Sequence, residues 1–216
     1  MRGVANKDLT PEVAFAIGRA GSAVLARMSD RHKPVIIGRD TRLSGTMLEA
    51  AIVAGVTSVG RDAVLIGVIP TPAVARVTVL DGAAAGIMIS ASHNPIADNG
   101  IKFFGPDGFK LSDQIEDEIE SLLDSPQIAR PIGGEVGIAR IAHNLGAHYI
   151  NAVVQSGSDL SGMTIVVDAA FGAAFAVAPV IFARLGAQVV EMNCEADGGR
   201  INVQCGATNL RPLAAK

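Results

Sequence analysis

Short apolar runs alternate with amphipathic stretches along most of this chain, and that alternation restricts its fold more than any other feature. Pro34-Val35-Ile36-Ile37, Ala63-Val64-Leu65-Ile66 and Ala85-Gly86-Ile87-Met88-Ile89 are continuous apolar segments. A strand that is apolar on every residue must be covered on both faces, as in a parallel sheet between helices. The intervening stretches have helical spacing. Thr10 is placed to cap a helix with Pro11 at its first position, and Val13, Ile17, Val24 and Met28 share one face. Ser44 is placed to cap a second helix, with Leu48, Ile52, Val56 and Val59 inward. A short helix follows Pro72, and Ser112 begins another that runs through Leu123. Around Gly105-Pro106-Asp107-Gly108, Lys102 to Leu111 reads as a hairpin. The expectation is an α/β fold with a mostly parallel sheet covered on both faces.

The pattern breaks between Ser125 and Gly137, which hold two prolines and three glycines without a clear period. The expected division is therefore a first domain over 1–126, a linker over 127–142 and an incomplete second domain over 143–216. In the second, a helix is expected over about 143–154, a strand at Met163–Val167, a helix at Ala173–Leu185 and a strand at Gln188–Val190. So few elements bury too little surface for an independent core. With 216 residues, 49% of them hydrophobic, and a formal net charge of −3, the chain has a sizeable core and no basic face for nucleic acid. No apolar run is long enough to cross a membrane, and no signal peptide is evident. Cys194 and Cys205 lack metal spacing and read as free thiols of a reduced, cytoplasmic protein.

The run Ala85–Ile89 leads into Ser90-Ala91-Ser92-His93-Asn94-Pro95, and Lys102 follows ten residues after Ser92. Ligands of open α/β sheets bind just beyond the carboxyl ends of strands, which places this loop for chemistry. As isolated residues, Ser92 and Asn94-Pro95 would be ordinary turn formers. No G-x-S-x-G elbow surrounds Ser92, so a serine hydrolase is a poor reading. His93 points away from its neighbour in extended backbone and suits loop orientation or proton transfer equally. Arg39, Asp40 and Arg42 read as an ion-pair cluster beside the site ahead of a direct catalytic role. His32, His143 and His148 have no ligand partner at useful spacing.

The whole loop resembles the phosphoserine loop of the α-D-phosphohexomutases. Gly38-Arg39-Asp40-Thr41-Arg42-Leu43-Ser44-Gly45 is similar to that family's G-[RK]-D-T-R-x-S-G element, and Pro70-Thr71-Pro72-Ala73 to its P-T-P-A turn. Arg2-Gly3-Val4-Ala5-Asn6 resembles the end of its first conserved segment, a resemblance that implies a cut in the chain at Met1. Ile201-Asn202 with Cys205-Gly206-Ala207-Thr208 resembles the I-N-x-x-C-G-[AS]-T element of one bacterial subgroup. One departure is Phe171, which stands before Gly172 where family members carry Asn or His.

The resemblance implies a three-layer α/β sandwich with a mixed, mostly parallel sheet: one complete domain and part of a second, out of four. It implies that Ser92 carries a phosphoryl group and passes it to a sugar phosphate through a bisphosphate intermediate. The subgroup interconverts glucosamine 6-phosphate and glucosamine 1-phosphate for cell-wall precursors. Phosphomannomutase or phosphoglucomutase specificity, or an inactive truncated product, are the alternatives. The implied catalytic residues are Ser92, His93 and Lys102, with Arg2, Asn94 and Arg39 binding substrate or phosphoryl oxygens. The implied cofactor is one Mg²⁺, bound by the phosphate on Ser92 and by three aspartates that these residues do not include. The implied partners are a small-molecule sugar phosphate and, for the full enzyme, a second copy of itself.

Overall fold

The computed structural model describes residues 1–216 except Met28, Ser29, Arg31, Pro126 and the side chain of Ala26. The place expected for Met28 thus lies outside the described residues. In chain order the first elements are β1 (Arg2–Val4), α1 (Pro11–Ala26), β2 (Val35–Arg39), α2 (Gly45–Thr57), β3 (Ala63–Val68), α3 (Thr71–Leu80), β4 (Ala85–Ile89) and β5 (Asp98–Phe104). There follow α4 (Asp113–Ser121), β6 (Ala139–Ile141), α5 (Gly146–Ser156), β7 (Thr164–Asp168), α6 (Ala178–Arg184), β8 (Gln188–Met192) and α7 (Arg211–Ala214).

Six strands form one sheet in the order β1-β5-β4-β2-β3-β6. β2 is parallel to both β3 and β4, and β6 is parallel to β3. β5 runs antiparallel to β4, and β1 antiparallel to β5. Side chains alternate between two cores, as strand geometry requires. Val35, Ile37, Ile87 and Ile89 face α1, α2 and α4, while Ile36, Val64, Ile66 and Met88 face α3. The expected α/β sandwich with a mixed, mostly parallel sheet is what the chain forms.

Thr10 caps α1 as expected, its hydroxyl accepting from Val13 N at 3.4 Å. Ser44 and Ser112 precede their helices but make no side-chain cap. The Ser44 hydroxyl instead accepts from Asn99 Nδ2 at 2.9 Å, tying α2 to β5. Where α1 crosses α2, glycines replace side chains. A Cβ on Gly18 would lie 2.7 Å from Ile52 O, and one on Gly55 would meet Phe15 O. Neither obstacle is a flexible side chain, so the helices would have to move apart. Gly55→Ala is expected to cost about 1–3 kcal/mol in urea denaturation. Gly134→Ala, which meets nothing within 4 Å, is the control.

Three expectations are corrected. The stretch 127–142, expected as a linker, contributes β6 to the main sheet, with Ile138 N donating to Asp62 Oδ1 at 2.9 Å. β5 begins at Asp98, four residues ahead of the hairpin expected from Lys102. The helix expected over Ala173–Leu185 begins only at Ala178, where Pro179 sits in its first turn. The preceding residues form turns instead, with Phe175 N bonded to Gly172 O.

In the latter part of the chain, β7 and β8 form a parallel pair of their own. The segment that joins them is buried with the first part: Val177 and Ile181, at and within α6, lie in the same cluster as Val74, Val77 and Met88. Cys194 and Cys205 are free, and burial pushes both thiols above their ordinary range. Among the described residues no helix is long and apolar enough to cross a membrane.

Candidate active site

β4 delivers the chain from a fully buried strand to an exposed Ser92 within three residues. Ser92 has φ +57°, the left-handed region, which a serine rarely adopts. Such a conformation costs roughly 1–2 kcal/mol and persists only where the surroundings impose it. Here they do. Ser92 N donates to Ser90 Oγ at 2.9 Å, and Ser90 Oγ donates to Asp40 Oδ2 at 2.7 Å.

The other side of the loop is held by Arg42, whose side chain is 0% exposed. Its Nε donates to Asp40 Oδ2 at 3.1 Å. Nη1 donates to Pro95 O at 2.6 Å and Asp98 O at 2.9 Å. Nη2 donates to Ser92 O at 2.9 Å and Asn94 O at 2.8 Å. A guanidinium has five N–H donors, and all five are committed. Arg42 therefore shapes the loop and has no donor left for a ligand phosphate. Of the residues expected as one ion-pair cluster, Asp40 and Arg42 pair with each other, while Arg39 pairs with Glu49.

Of the cationic side chains expected near Ser92, Arg2 is bonded to this loop. Arg2 lies on β1 and donates through Nη1 to Asn94 Oδ1 at 3.0 Å. Asn94 Nδ2 in turn donates to Asp98 Oδ2 at 2.8 Å. Lys102 lies on β5, in register with Met88 of β4. Its ammonium is held below the usual lysine range by burial first, then by the charges of Arg2 and Arg42, with Asp40 opposing them. A crowded, half-buried cation of this kind gains most from an incoming anion. His93 is exposed and makes no hydrogen bond among the described residues. Arg39 points its Nε at Glu49 of α2, 3.2 Å away, and is not bonded to the Ser92 loop.

Asn202 was not expected at the site. Its Nδ2 donates to Ser92 O at 2.9 Å and to Asn94 O at 3.2 Å. The I-N-x-x-C-G-A-T stretch was legible as a motif, but its target is a pair of backbone carbonyls, which no side-chain pattern announces. Phe171, the departure from the family pattern, keeps the contact with the first part through its backbone. Thr41 Oγ1 donates to Phe171 O at 2.6 Å, and the Arg200 guanidinium lies 4.1 Å over the Phe171 ring.

Metal ligands do not assemble here. Among the described residues no group of three or more His, Cys, Asp or Glu could hold a metal ion. The nearby carboxylates are already engaged, Asp40 with Ser90 and Arg42, and Asp98 with Asn94. These residues alone do not fit a Mg²⁺ shell.

Comparison with known proteins bears directly on this loop. The model of the family described as "Phosphoglucomutase/phosphomannomutase, alpha/beta/alpha domain I" matches residues 1–129. The phosphoglucosamine mutase of Desulforamulus reducens is 52% identical over 216 residues, covering 99% of this chain and 48% of that protein. The phosphoglucosamine mutase of Pelotomaculum thermopropionicum is 54% identical over 216 residues, with the same shares covered. A crystal structure of a phosphoglucomutase/phosphomannomutase family protein from Burkholderia thailandensis superposes with a TM-score of 0.79 at 28% identity. That match covers 92% of this chain and 43% of the other. The chain spans about half the length of the curated relatives it matches.

Proposed function

Because this chain belongs to the phosphoglucomutase/phosphomannomutase family, we propose that it is the phosphoserine-bearing half of a phosphoglucosamine mutase. The complete enzyme would interconvert glucosamine 6-phosphate and glucosamine 1-phosphate. One observation carries the reading: an exposed Ser92 at the end of a buried parallel strand, held left-handed by a fully satisfied Arg42. Relatives at about half identity named phosphoglucosamine mutase favour that specificity over the sister ones.

Ser92 Oγ is the phosphoryl carrier. In one half-reaction a sugar hydroxyl oxygen attacks phosphorus in line, the P–Oγ bond breaks, and Oγ takes up the proton that the hydroxyl releases. The resulting bisphosphate reorients and returns its other phosphoryl group by the reverse steps. Such transfers depend on alignment and on spreading the charge of the moving group. Lys102 and Arg2 supply positive charge beside the loop, Asn94 fixes the Arg2 guanidinium, and Arg39 is a more distant phosphate-binding candidate. His93 is free to meet the substrate or to orient the loop.

Mg²⁺ would supply further charge neutralisation when bound. The phosphate on Ser92 would give it one oxygen, and the remaining ligands would come from outside these residues. No nucleic acid or membrane enters this reading, and the setting is cytoplasmic, with a homodimer of the complete enzyme as a possible assembly. We also propose to keep the division at about 126 and 143, with β6 assigned to the first sheet.

The test is to map the phosphate. The complete enzyme containing these residues, incubated with a hexose bisphosphate, is digested and analysed by mass spectrometry. The phosphate is expected on Ser92; its appearance on Ser90 alone would overturn the assignment, because Ser90 is the buried donor to Asp40.

A further inference from the structure

We infer that Asn202 is a positioning residue for Ser92, through which the second unit of the chain sets the alignment for phosphoryl transfer. The inference rests on Ser92 being the phosphoryl carrier, as proposed above. Two peptide planes flank Ser92, and both are held. The preceding one is fixed by Ser92 N on Ser90 Oγ. The following one presents Ser92 O, which accepts from Arg42 Nη2 and again from Asn202 Nδ2, both at 2.9 Å. A carbonyl oxygen has two lone pairs, and here both are occupied. Asn94 O is shared by the same two donors, at 2.8 and 3.2 Å. With both planes fixed, rotation about χ1 is the main freedom left to the Ser92 hydroxyl.

Asn202 is itself built to hold still. It has φ +62°, and its N–H donates to Ala170 O at 3.1 Å. Buried Ile201 and Cys205 pin the backbone on either side of it. The carboxylate of Asp168, at the end of β7, gathers Ala170 N, Asn193 Nδ2 and Gly206 N at 2.8–2.9 Å. The two loops that support Asn202 are therefore tied to one anchor. Ala170, Phe171, Asn202 and Gln204 all have positive φ, a concentration of rare backbone conformations opposite the Ser92 loop. Arg42 holds the loop from the buried side within the first sheet unit. Asn202 holds the same carbonyls from a different unit, and so couples the second unit directly to the carrier's own backbone.

The test uses Asn202→Asp and Asn202→Gly in the complete enzyme. Both replacements tolerate left-handed backbone, and both remove the amide donor. With glucosamine 6-phosphate as substrate, kcat should fall about tenfold while KM stays within about twofold, because small misplacements are amplified in an aligned transfer. Amide exchange should quicken over Ser92–Asp98 and stay unchanged in β7 and β8. Unchanged kcat would overturn the inference, as would exchange that rises throughout β7 and β8. If the unmodified enzyme turns over no sugar phosphate, the functional reading fails instead. Exchange then decides alone: faster exchange confined to 92–98 upholds the clamp, and unaltered exchange there overturns it.

Discussion

Arg42→Met is expected to destabilise the chain by about 3–5 kcal/mol, the usual scale for leaving a buried ion-pair partner uncompensated. The guanidinium is completely buried and serves four loop carbonyls as well as Asp40. Its removal strands a buried carboxylate and leaves the carbonyls of Ser92, Asn94, Pro95 and Asp98 short of donors. Urea denaturation at neutral pH would measure the loss. Arg42→Lys should recover only part of it, since an ammonium has three donors for five acceptor contacts and lacks the planar fork. A loss below about 1 kcal/mol for Arg42→Met would place it with surface pairs and remove it as the centre of the loop.

The largest kinetic effect is expected at the carrier. Ser92→Ala in the complete enzyme should lower kcat by about 10⁴-fold or more, the scale of removing a catalytic nucleophile. Lys102→Ala should lower it about 10²-fold, as for one pre-organised charge on a transferring group. A coupled assay with glucosamine 6-phosphate, Mg²⁺ and a bisphosphate activator would read both. Ser92→Ala retaining a tenth of the activity would exclude Ser92 as carrier. Unchanged turnover in Lys102→Ala would make that lysine a bystander at the edge of β5.

Much of the fold was legible because buried strands leave a strong signal. Val35-Ile36-Ile37 and Ala85–Ile89 are apolar on both faces, and the structure buries them on both faces. β6 was not legible, since Ala139-Arg140-Ile141 is too short for a period and stays exposed. β5 was missed at its start because Asp98, Asn99 and Gly100 are turn-forming types. Pairing with β1 and β4 overrides that preference, while Asn99 satisfies its amide with Ser44 and with Gly100 N. At the site, the loop itself was visible from its residue types. What holds the loop was less so: Arg42 and Asn202 act on main-chain oxygens, and these carry no sequence signature.

The core shared by α3 and α6 bears on how such enzymes could exchange halves. α3 packs against α5 and α5 against α6, so Val177 and Ile181 share a buried cluster with Val74 and Val77, although the boundary suggested by composition falls between α3 and α5, near residue 126. A chimaera joined there would set α5 of one parent against α3 of another. Each mismatched aliphatic side chain puts at risk roughly 1.5–3 kcal/mol of burial. Crossovers that carry the outward residues of α3 along with α5 and α6 would keep the buried face intact. Recombination between relatives should therefore tolerate exchange of that packed layer as a block far better than exchange at the chain's apparent joint.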